Sequence, residues 1–212
     1  MTKAKRKSDV DSVQSSQYSF PYHYIPSAKG FPNFSKRWEY SSSYIAAIKL
    51  FDEWLSELPK RENHKHIDYG CGDGGFVNAL AKFDEHQNVS FSGIDYDKNA
   101  IRWAKLFAIN PDNFTAGDIS DLPSNYYDSG SLIEVFEHIP PSECNEFVKA
   151  IASSLKEGGL LFLTVPSNEK PVSEKHYRHF DFKLLADSFE GSFIVKDLFG
   201  FEKKNFFGAG QK

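Results

Sequence analysis

Apolar residues recur along this chain with two different spacings, and the two spacings alternate. From Ser43 to Leu58 they return every three to four positions, which predicts a helix that ends before Pro59. Beyond it, short apolar runs alternate with further helical stretches as far as residue 199. This alternation predicts a doubly wound α/β fold with a mostly parallel sheet and helices on both faces. The predicted strands are His66–Tyr69, Val89–Ile94, Phe114–Ala116, Ser131–Phe136, Leu160–Val165 and Ser192–Phe199, and the helices between them are Phe76–Phe83, Asn99–Ile109, Pro141–Leu155 and His179–Phe189.

The beginning of the chain does not follow this pattern. Residues 1–17 are polar and lack periodicity, which predicts a disordered tail. Residues 18–36 are rich in aromatic side chains but are broken by prolines and a glycine, so we expect an irregular packed segment there. With the first helix, this segment forms an N-terminal extension over residues 18–60. Residues 61–212 are then a single α/β domain.

Composition narrows the class of protein. The chain has 212 residues, enough for one compact domain with a short extension. A net charge of -4 supplies no general attraction to nucleic acid, so we expect no nucleic-acid partner. Two cysteines, Cys71 and Cys144, lie far apart without metal-ligand spacing, which indicates a reducing compartment and a cytoplasmic location. No stretch approaches the roughly 20 apolar residues of a membrane span.

The first predicted strand runs directly into a glycine-rich turn, Gly70-Cys71-Gly72-Asp73-Gly74. In a doubly wound sheet, ligands bind beyond the carboxyl ends of the strands, where the first strand meets the first helix. Glycines let the backbone turn tightly there and approach a ligand without Cβ clashes. Asp95 ends the second predicted strand, and a carboxylate at that place can accept both hydroxyl protons of a ribose. The turn and the acid predict a Rossmann-like cofactor site.

Two cofactors fit this arrangement, NAD and S-adenosylmethionine (SAM). The glycines of the turn satisfy the G-x-G-x-x-G dinucleotide pattern, and Asp95 follows them at the expected distance. Asp68 favours SAM, because a carboxylate just before the turn repels a pyrophosphate but not the charged methionine end of SAM. Asp118 follows the third strand, where it can hydrogen-bond an adenine amine.

Five segments of the chain, in this order, resemble the motifs of class I SAM-dependent methyltransferases. The segment with the glycine turn is similar to their first motif, and those around Asp95 and Asp118 are similar to their ribose-binding and adenine-contact motifs. The last two resemble the fourth-strand motif, and the turn before the fifth strand, of the ubiquinone-biosynthesis-like branch. The segments are Ile67–Gly74, Gly93–Asp95, Gly117–Ile119, Tyr127–His138 and Leu155–Gly159.

The resemblance implies SAM as the cofactor, with S-adenosylhomocysteine as its product. It places Asp68 and the first two glycines of the turn beside the methionine moiety, and Asp95 at the ribose. Asp118 with Ile119 is expected to frame the adenine. Three neighbours within or beside the same motifs complete the set. The implied cofactor-binding residues are Asp68, Gly70, Cys71, Gly72, Asp95, Tyr96, Asp118, Ile119 and Glu134.

Histidines are the candidates for the chemistry. An oxygen acceptor must lose its proton during methyl transfer, and a histidine with a pKa of about 7 suits that role. His138 lies in the fourth-strand motif, whereas His176 and His179 lie in a polar loop after the fifth strand that is implied to line the acceptor pocket. We expect methyl transfer to a small-molecule or glycan-like acceptor, at oxygen. The aromatic N-terminal segment is expected to act as a lid over that acceptor.

Three alternatives stay open at the level of sequence. An NAD-dependent oxidoreductase of similar fold shares the glycine turn. The run from Glu134 to His138, with His179 downstream, also resembles the metal site of small-RNA 2′-O-methyltransferases, but the chain lacks an obvious RNA-binding tract and we expect no metal. A SAM-binding protein without catalysis, serving as a scaffold, shares every cofactor motif.

The end of the chain departs from the family. The usual fold finishes with an antiparallel seventh strand beside the fifth. Eleven residues follow Phe201, with Asn205-Phe206-Phe207 as the strand nucleus. We therefore expect either a very short last strand or a chain that is part of a longer protein.

Overall fold

A computed structural model describes residues 7–19, 21–24, 31–59, 62–83, 86–201 and 205–212. For residues 7–9, 31–43, 201 and 205–211 it describes the backbone alone. The strands are β1 His64–Tyr69, β2 Val89–Asp95, β3 Phe114–Ala116, β4 Tyr127–Ile133, β5 Leu155–Pro166, β6 Ile194–Phe201 and β7 Asn205–Gln211. The helices are α1 Lys7–Gln17, α2 Phe31–Glu57, α3 Gly75–Leu80, α4 Lys98–Phe107, α5 Cys144–Ser154 and α6 Phe182–Phe189.

The strands form one sheet in the order β3-β2-β1-β4-β5-β7-β6. β1 to β5 are parallel, and β7 runs antiparallel between β5 and β6. The chain winds outward from β1 to β3 and then returns to β4, so the order reverses between β1 and β4. Ligands of doubly wound sheets bind at such a reversal. The predicted Rossmann-like, mostly parallel fold is confirmed.

Helices cover both faces of this sheet and create two apolar cores. On one face, Phe51 of α2, Phe76 of α3 and Ile101 of α4 pack against β2 and β5. On the other face, Ile151 of α5 and Leu185 of α6 pack against β1, β4 and β5. Burial on both faces explains why β5 carries an apolar run rather than strict alternation.

The N-terminal region is more ordered than the sequence predicts. Residues 7–17 form α1 instead of a disordered tail, because Val10 is buried and so is Tyr18 just beyond the helix. Residues 31–36, expected to be irregular, are the start of α2. Pro32 has no backbone N–H, but the N–H groups in the first turn of a helix have no partner within the helix. A proline is therefore tolerated there. Residues 1–6 lie outside the described residues.

Several predicted elements have different limits in the structure. The fourth strand ends at Ile133 instead of Phe136, because the chain turns into a 3-10 helix over Phe136–His138. The last helix starts after Asp181, whose carboxylate caps it by accepting a hydrogen bond from Leu184 N–H at 2.7 Å. His179 therefore lies in the loop rather than in the helix.

The last strand is longer than the sequence predicts. β7 spans seven residues and pairs with β5 from Leu160↔Gln211 to Pro166↔Asn205. Its antiparallel place beside the fifth strand is the one that the resemblance implies.

No helix within the described ranges is long and apolar enough to cross a membrane.

Candidate cofactor and acceptor site

The glycine turn after β1 requires residues without a side chain. Gly70, Gly72 and Gly74 have φ angles of 70°, 55° and 77°, which glycine adopts at no steric cost. A Cβ on Gly70 would lie 2.7 Å from Val135 Cγ2, and one on Gly72 would lie 2.6 Å from Tyr18 Oη. The turn is thus pressed between the loop after β4 and the N-terminal segment.

Asp95 at the end of β2 holds this turn in place. Its Oδ2 accepts a hydrogen bond from Gly72 N–H at 2.9 Å, and its Oδ1 accepts one from Asp97 N–H at 2.8 Å. Burial raises the pKa of Asp95 to about 6, although these two backbone donors oppose the shift. Each carboxylate oxygen has a second lone pair, so a ribose hydroxyl can still be bound.

The remaining predicted cofactor residues lie in different environments. Asp68 is buried, and its Oδ1 accepts a hydrogen bond from Ser131 Oγ at 2.6 Å. Asp118 is exposed and caps a 3-10 turn by accepting hydrogen bonds from Ser120, while Ile119 packs against the core. Tyr96 is 57% exposed at the rim. The side chain of Cys71 points into the apolar core, so only its backbone can face a cofactor.

The aromatic segment lies directly on the glycine turn. Besides the contact of Tyr18 with Gly72, His23 Nδ1 lies 2.7 Å from Asp73 Oδ1. Trp103 of α4 donates a hydrogen bond from Nε1 to the Tyr18 carbonyl at 2.9 Å. Sequence reasoning expected this segment over the acceptor and missed its contacts with the turn, because aromatic composition carries no information about which surface is covered.

Glu134, the first residue after β4, has a strained backbone. Its φ of 55° is in the left-handed region, which non-glycine residues rarely occupy. The conformation is held by two hydrogen bonds from Glu134 N–H to Thr164, at 3.0 Å to the carbonyl and 3.2 Å to Oγ1. Strain of this kind concentrates at functional sites. It directs the chain from the sheet into the 3-10 helix that carries Glu137 and His138.

The three candidate histidines lie together at this point. The rings of His138 and His176 are 4.7 Å apart, and those of His176 and His179 are 5.0 Å apart. Lys175, which stands beside His176 in the loop, also donates a hydrogen bond from Nζ to Gln17 Oε1 of α1 at 3.3 Å. Since Tyr18 follows Gln17 and contacts Gly72, the histidine cluster and the glycine turn border the same N-terminal segment.

Backbone carbonyls determine the tautomers of these histidines. His179 Nδ1 lies 3.1 Å from the Lys170 carbonyl, which only accepts, so Nδ1 is the donor and Nε2 carries the lone pair. When both rings are neutral, that Nε2 accepts a hydrogen bond from His176 Nδ1 at 2.7 Å, and the His176 lone pair is on Nε2. His138 Nδ1 donates to the Lys175 carbonyl at 2.8 Å, so its lone pair is also on Nε2.

Glu137 lies between the two lone pairs. Its Oε1 is 3.8 Å from Nε2 of both His138 and His176. Glu137 is 1% exposed, and within the described part of the chain neither of its carboxyl oxygens has a hydrogen-bond partner. Burial, and then the charge of Glu134, raise the pKa of Glu137 well above its ordinary value. Burial likewise lowers the pKa of His138 to about 4, so that ring is neutral at neutral pH.

This arrangement is chemically basic and open to a cation or a proton donor. Ligand atoms of Glu137, His138 and His176 all lie within 4.8 Å of one another, close enough to share one metal ion. His179 is not in that set, although the sequence motif for a metal site would include it. Its ring orients His176 instead.

The fold and the site together define a class I SAM-dependent methyltransferase. The match to a family model described as "Methyltransferase domain" covers residues 40–191, and the chain belongs to that family. Family membership confirms the predicted cofactor, SAM. It does not favour the alternative of an NAD-dependent oxidoreductase, which shares the glycine turn but not the family.

Relatives with known names act on different kinds of acceptor atom. The ubiquinone biosynthesis O-methyltransferase of Hydrogenovibrio crunogenus is 25% identical over 136 residues, 60% of this chain and 54% of that protein. The sterol 24-C-methyltransferase erg6 of Aspergillus fumigatus is 29% identical over 58% of this chain and 34% of that protein. The chain spans about half the length, or less, of these relatives.

Solved structures share the fold. The 1,6-didemethyltoxoflavin-N1-methyltransferase of Burkholderia thailandensis, determined with its substrate and S-adenosylhomocysteine, has a TM-score of 0.72 and 15% identity, covering 100% of this chain and 92% of that chain. A SAM-dependent methyltransferase of Aquifex aeolicus has a TM-score of 0.61 and 17% identity, covering 78% of this chain and 97% of that chain.

Proposed function

We propose that this protein transfers the methyl group of SAM to a hydroxyl oxygen of a small molecule, with His176 as the base. The observation that carries this proposal is the fixed tautomer of His176, whose lone pair lies on Nε2 beside Glu137. A neutral nitrogen acceptor places weaker demands on such a base, because it attacks with its own lone pair. A glycan hydroxyl belongs to the same chemical class of acceptor.

The cofactor residues have the roles that their positions allow. When bound, SAM supplies a methyl group on a positively charged sulfur, which is the leaving group when an acceptor oxygen attacks the methyl carbon in line. Asp68 is suited to its methionine ammonium and Asp95 to its ribose hydroxyls, since both carboxylates border the glycine turn. The exposed Asp118 and the partly buried Ile119 would frame the adenine. Positioning of this kind provides much of the rate enhancement.

The proton balance is simple. As the acceptor oxygen bonds to the methyl carbon and the carbon–sulfur bond breaks, the hydroxyl proton moves to His176 Nε2. His179 acts as a positioning residue, because it accepts the Nδ1–H of His176 and prevents the other tautomer. His138 Nε2 also lies 3.8 Å from Glu137 Oε1, and its lone pair can accept a hydrogen bond from the acceptor hydroxyl or from an ordered water.

Two single variants test these roles: His176→Ala and His179→Phe. We expect His176→Ala to lower kcat about 100- to 10,000-fold, the range that general-base catalysis contributes, with KM for SAM unchanged. His179→Phe should lower kcat less and alter its pH profile, since His176 would then be free to change tautomer. Retention of full turnover by His176→Ala, with the fold intact by circular dichroism, would contradict the proposal.

Removal of metal ions separates this reaction from a metal-dependent one. Glu137, His138 and His176 have the donor types and spacing to bind a divalent cation. We nevertheless expect turnover to survive exhaustive dialysis against a chelator, because the base alone suffices. Loss of turnover that is restored by a single added metal would show that the cluster is a metal centre.

A further inference from the structure

Polar residues occupy one face of two central strands where apolar side chains are the rule. In β1, every second residue is ionisable: His64, His66 and Asp68. In β4, Ser129 is the register partner of His66, and Ser131 that of Asp68. Buried parallel strands normally read as apolar runs. The strand predicted from the sequence, His66–Tyr69, contains only two of these residues, His66 and Asp68.

These five side chains form a continuous hydrogen-bonded row, which we call the polar ladder. His64 Nε2 lies 2.8 Å from Ser129 Oγ, which lies 2.8 Å from His66 Nδ1. His66 Nε2 lies 3.0 Å from Ser131 Oγ, which lies 2.6 Å from Asp68 Oδ1. The ladder runs from the beginning of β1 to the glycine turn, along the full length of the strand.

The polar ladder is sealed from solvent along its length. His66, Ser129 and Ser131 are 0% exposed, and the two ends, His64 and Asp68, are 6% and 2% exposed. The ring centroids of Phe51 and Phe91 lie 4.9 and 5.5 Å from that of His66. Burying five polar side chains in an aromatic core costs free energy unless every group is satisfied, and here the row satisfies them mutually.

The row can be polarised in two directions. When Asp68 is ionised, Ser131 must donate to it, so His66 Nε2–H donates to Ser131, Ser129 donates to His66 Nδ1, and His64 Nε2–H donates to Ser129. When Asp68 is protonated, each of these hydrogen bonds reverses. Hopping of one proton per bond converts the second state into the first. The Asp68 proton then enters at one end, and His64 gains a proton on Nε2 and can release one from Nδ1.

We propose that the polar ladder is a proton path. As the cofactor binds at the carboxyl ends of the strands, Asp68 releases its proton along the ladder to the amino-terminal end of β1. The proposal rests on the proposed place of Asp68 beside the methionine ammonium. A protonated Asp68 cannot pair with an ammonium, and a bound cofactor with the N-terminal segment above it closes the direct route to solvent. The path allows the cofactor to bind first and the proton to leave afterwards.

The groups around both ends support this direction. Burial raises the pKa of Asp68 to about 8, the Ser131 hydrogen bond opposes the shift, and the charge of Asp95 on β2 adds to it. Tyr44 from α2 and the Cys71 thiol of the turn also face Asp68. Among the described residues, no lysine or arginine forms an ion pair with it. At the other end, His64 lies in the field of the Asp128 carboxylate, which also forms an ion pair with Lys156 at 2.8 Å and accepts a hydrogen bond from Lys65 N–H.

Ser129→Ala tests the path without touching the cofactor side, since Ser131 keeps its bond to Asp68. The measurement is the association rate of S-adenosylhomocysteine by stopped-flow fluorescence, with proton release followed by an indicator in weak buffer. At about pH 7, a carboxyl with a pKa of about 8 is ionised in about a tenth of the molecules. Without the path only that fraction binds promptly, so Ser129→Ala should bind about ten-fold more slowly than the wild type.

The pH profile separates this role from a structural one. At about pH 9 most Asp68 is already ionised, so Ser129→Ala should bind as fast as the wild type. Ser129→Thr, which keeps the hydroxyl, should restore the rate at both pH values. Ser154→Ala is the matched control, because Ser154 is an equally buried serine bonded to Tyr69 outside the ladder. His66→Phe, which fits the aromatic surroundings, provides a second break.

Each outcome decides the question. A rate for Ser129→Ala and His66→Phe that equals that of the wild type at about pH 7 overturns the proton path but leaves the proposed function intact. An equal slowing at both pH values also overturns it. Failure of the wild type to bind S-adenosylhomocysteine at any pH overturns the proposed function, and the path with it.

Discussion

Gly72 shows how a single residue links the cofactor turn to the N-terminal segment. Its φ of 55° favours glycine, and the hydroxyl of Tyr18 fills the space where a Cβ would be. Gly191 provides a matched comparison, since it has a φ of 80° but none of the described residues has an atom within 4 Å of an added Cβ. A comparison of alanine substitutions at these two glycines separates the cost of a positive φ from the cost of a steric clash with Tyr18.

We expect Gly191→Ala to lower the free energy of unfolding by about 1 kcal/mol, the cost of a left-handed alanine. Gly72→Ala should lower it further and also weaken S-adenosylhomocysteine binding, because Tyr18 must move. Urea denaturation and calorimetric titration measure the two effects. Equal losses of stability in the two variants, with binding unchanged, would mean that the Tyr18 contact has no role.

His138 makes stability depend on pH. Its pKa is about 4 in the folded protein, because of burial, and about 6.5 in an unfolded chain. Between these values the unfolded state binds more protons, so acidification favours unfolding. Between neutral pH and about pH 4, the wild type should lose up to about 3 kcal/mol more stability than His138→Gln. Parallel stability curves for the two proteins would contradict the assignment.

Residue-scale roles were predictable only where a local motif carries them. The turn glycines and Asp95 could be placed from the sequence, because a strand followed by glycines has one geometry. The pairing of His176 with His179 could not, because it depends on the Lys170 carbonyl in a loop without periodicity. The polar ladder depends on the register between β1 and β4, which a single strand does not reveal.

At the scale of elements, the N-terminal segment is the part that the sequence describes least well. α1 has a weak apolar pattern, and its position comes from the burial of Val10 and Tyr18 at one end of the sheet. Tertiary contacts of this kind override a polar composition. The segment reaches the glycine turn through Tyr18 and His23 and the acceptor loop through Gln17.

Removal of residues 1–24 should therefore affect the cofactor as well as the acceptor. We expect S-adenosylhomocysteine to dissociate at least about ten-fold faster from the truncated protein, since a cover over the turn acts mainly on dissociation. Tyr18→Phe, which keeps the ring and loses the hydroxyl, should show a smaller effect. Stopped-flow displacement measures both. If S-adenosylhomocysteine dissociated from the truncated protein at the wild-type rate, the segment would not cover the cofactor. Only its predicted role over the acceptor would then remain.

For the whole molecule, alternation of strands and helices was sufficient to predict the doubly wound sheet. The limits of individual elements shifted by a few residues, and β7 was longer than its apolar nucleus suggested, because pairing with β5 and β6 extends it. The strand order reverses between β1 and β4. The glycine turn, Asp95 and the loop that carries His176 and His179 all follow the carboxyl ends of strands around this reversal. A SAM-binding scaffold without catalysis has this same architecture, so only turnover distinguishes the two.

Calorimetric titration of the wild-type protein with S-adenosylhomocysteine, with NAD titrated in parallel, tests the central claim most directly. We predict one binding site for S-adenosylhomocysteine, its affinity reduced by Asp95→Asn, and no heat of binding with NAD. Binding of NAD without binding of S-adenosylhomocysteine would contradict the assignment of this turn to SAM.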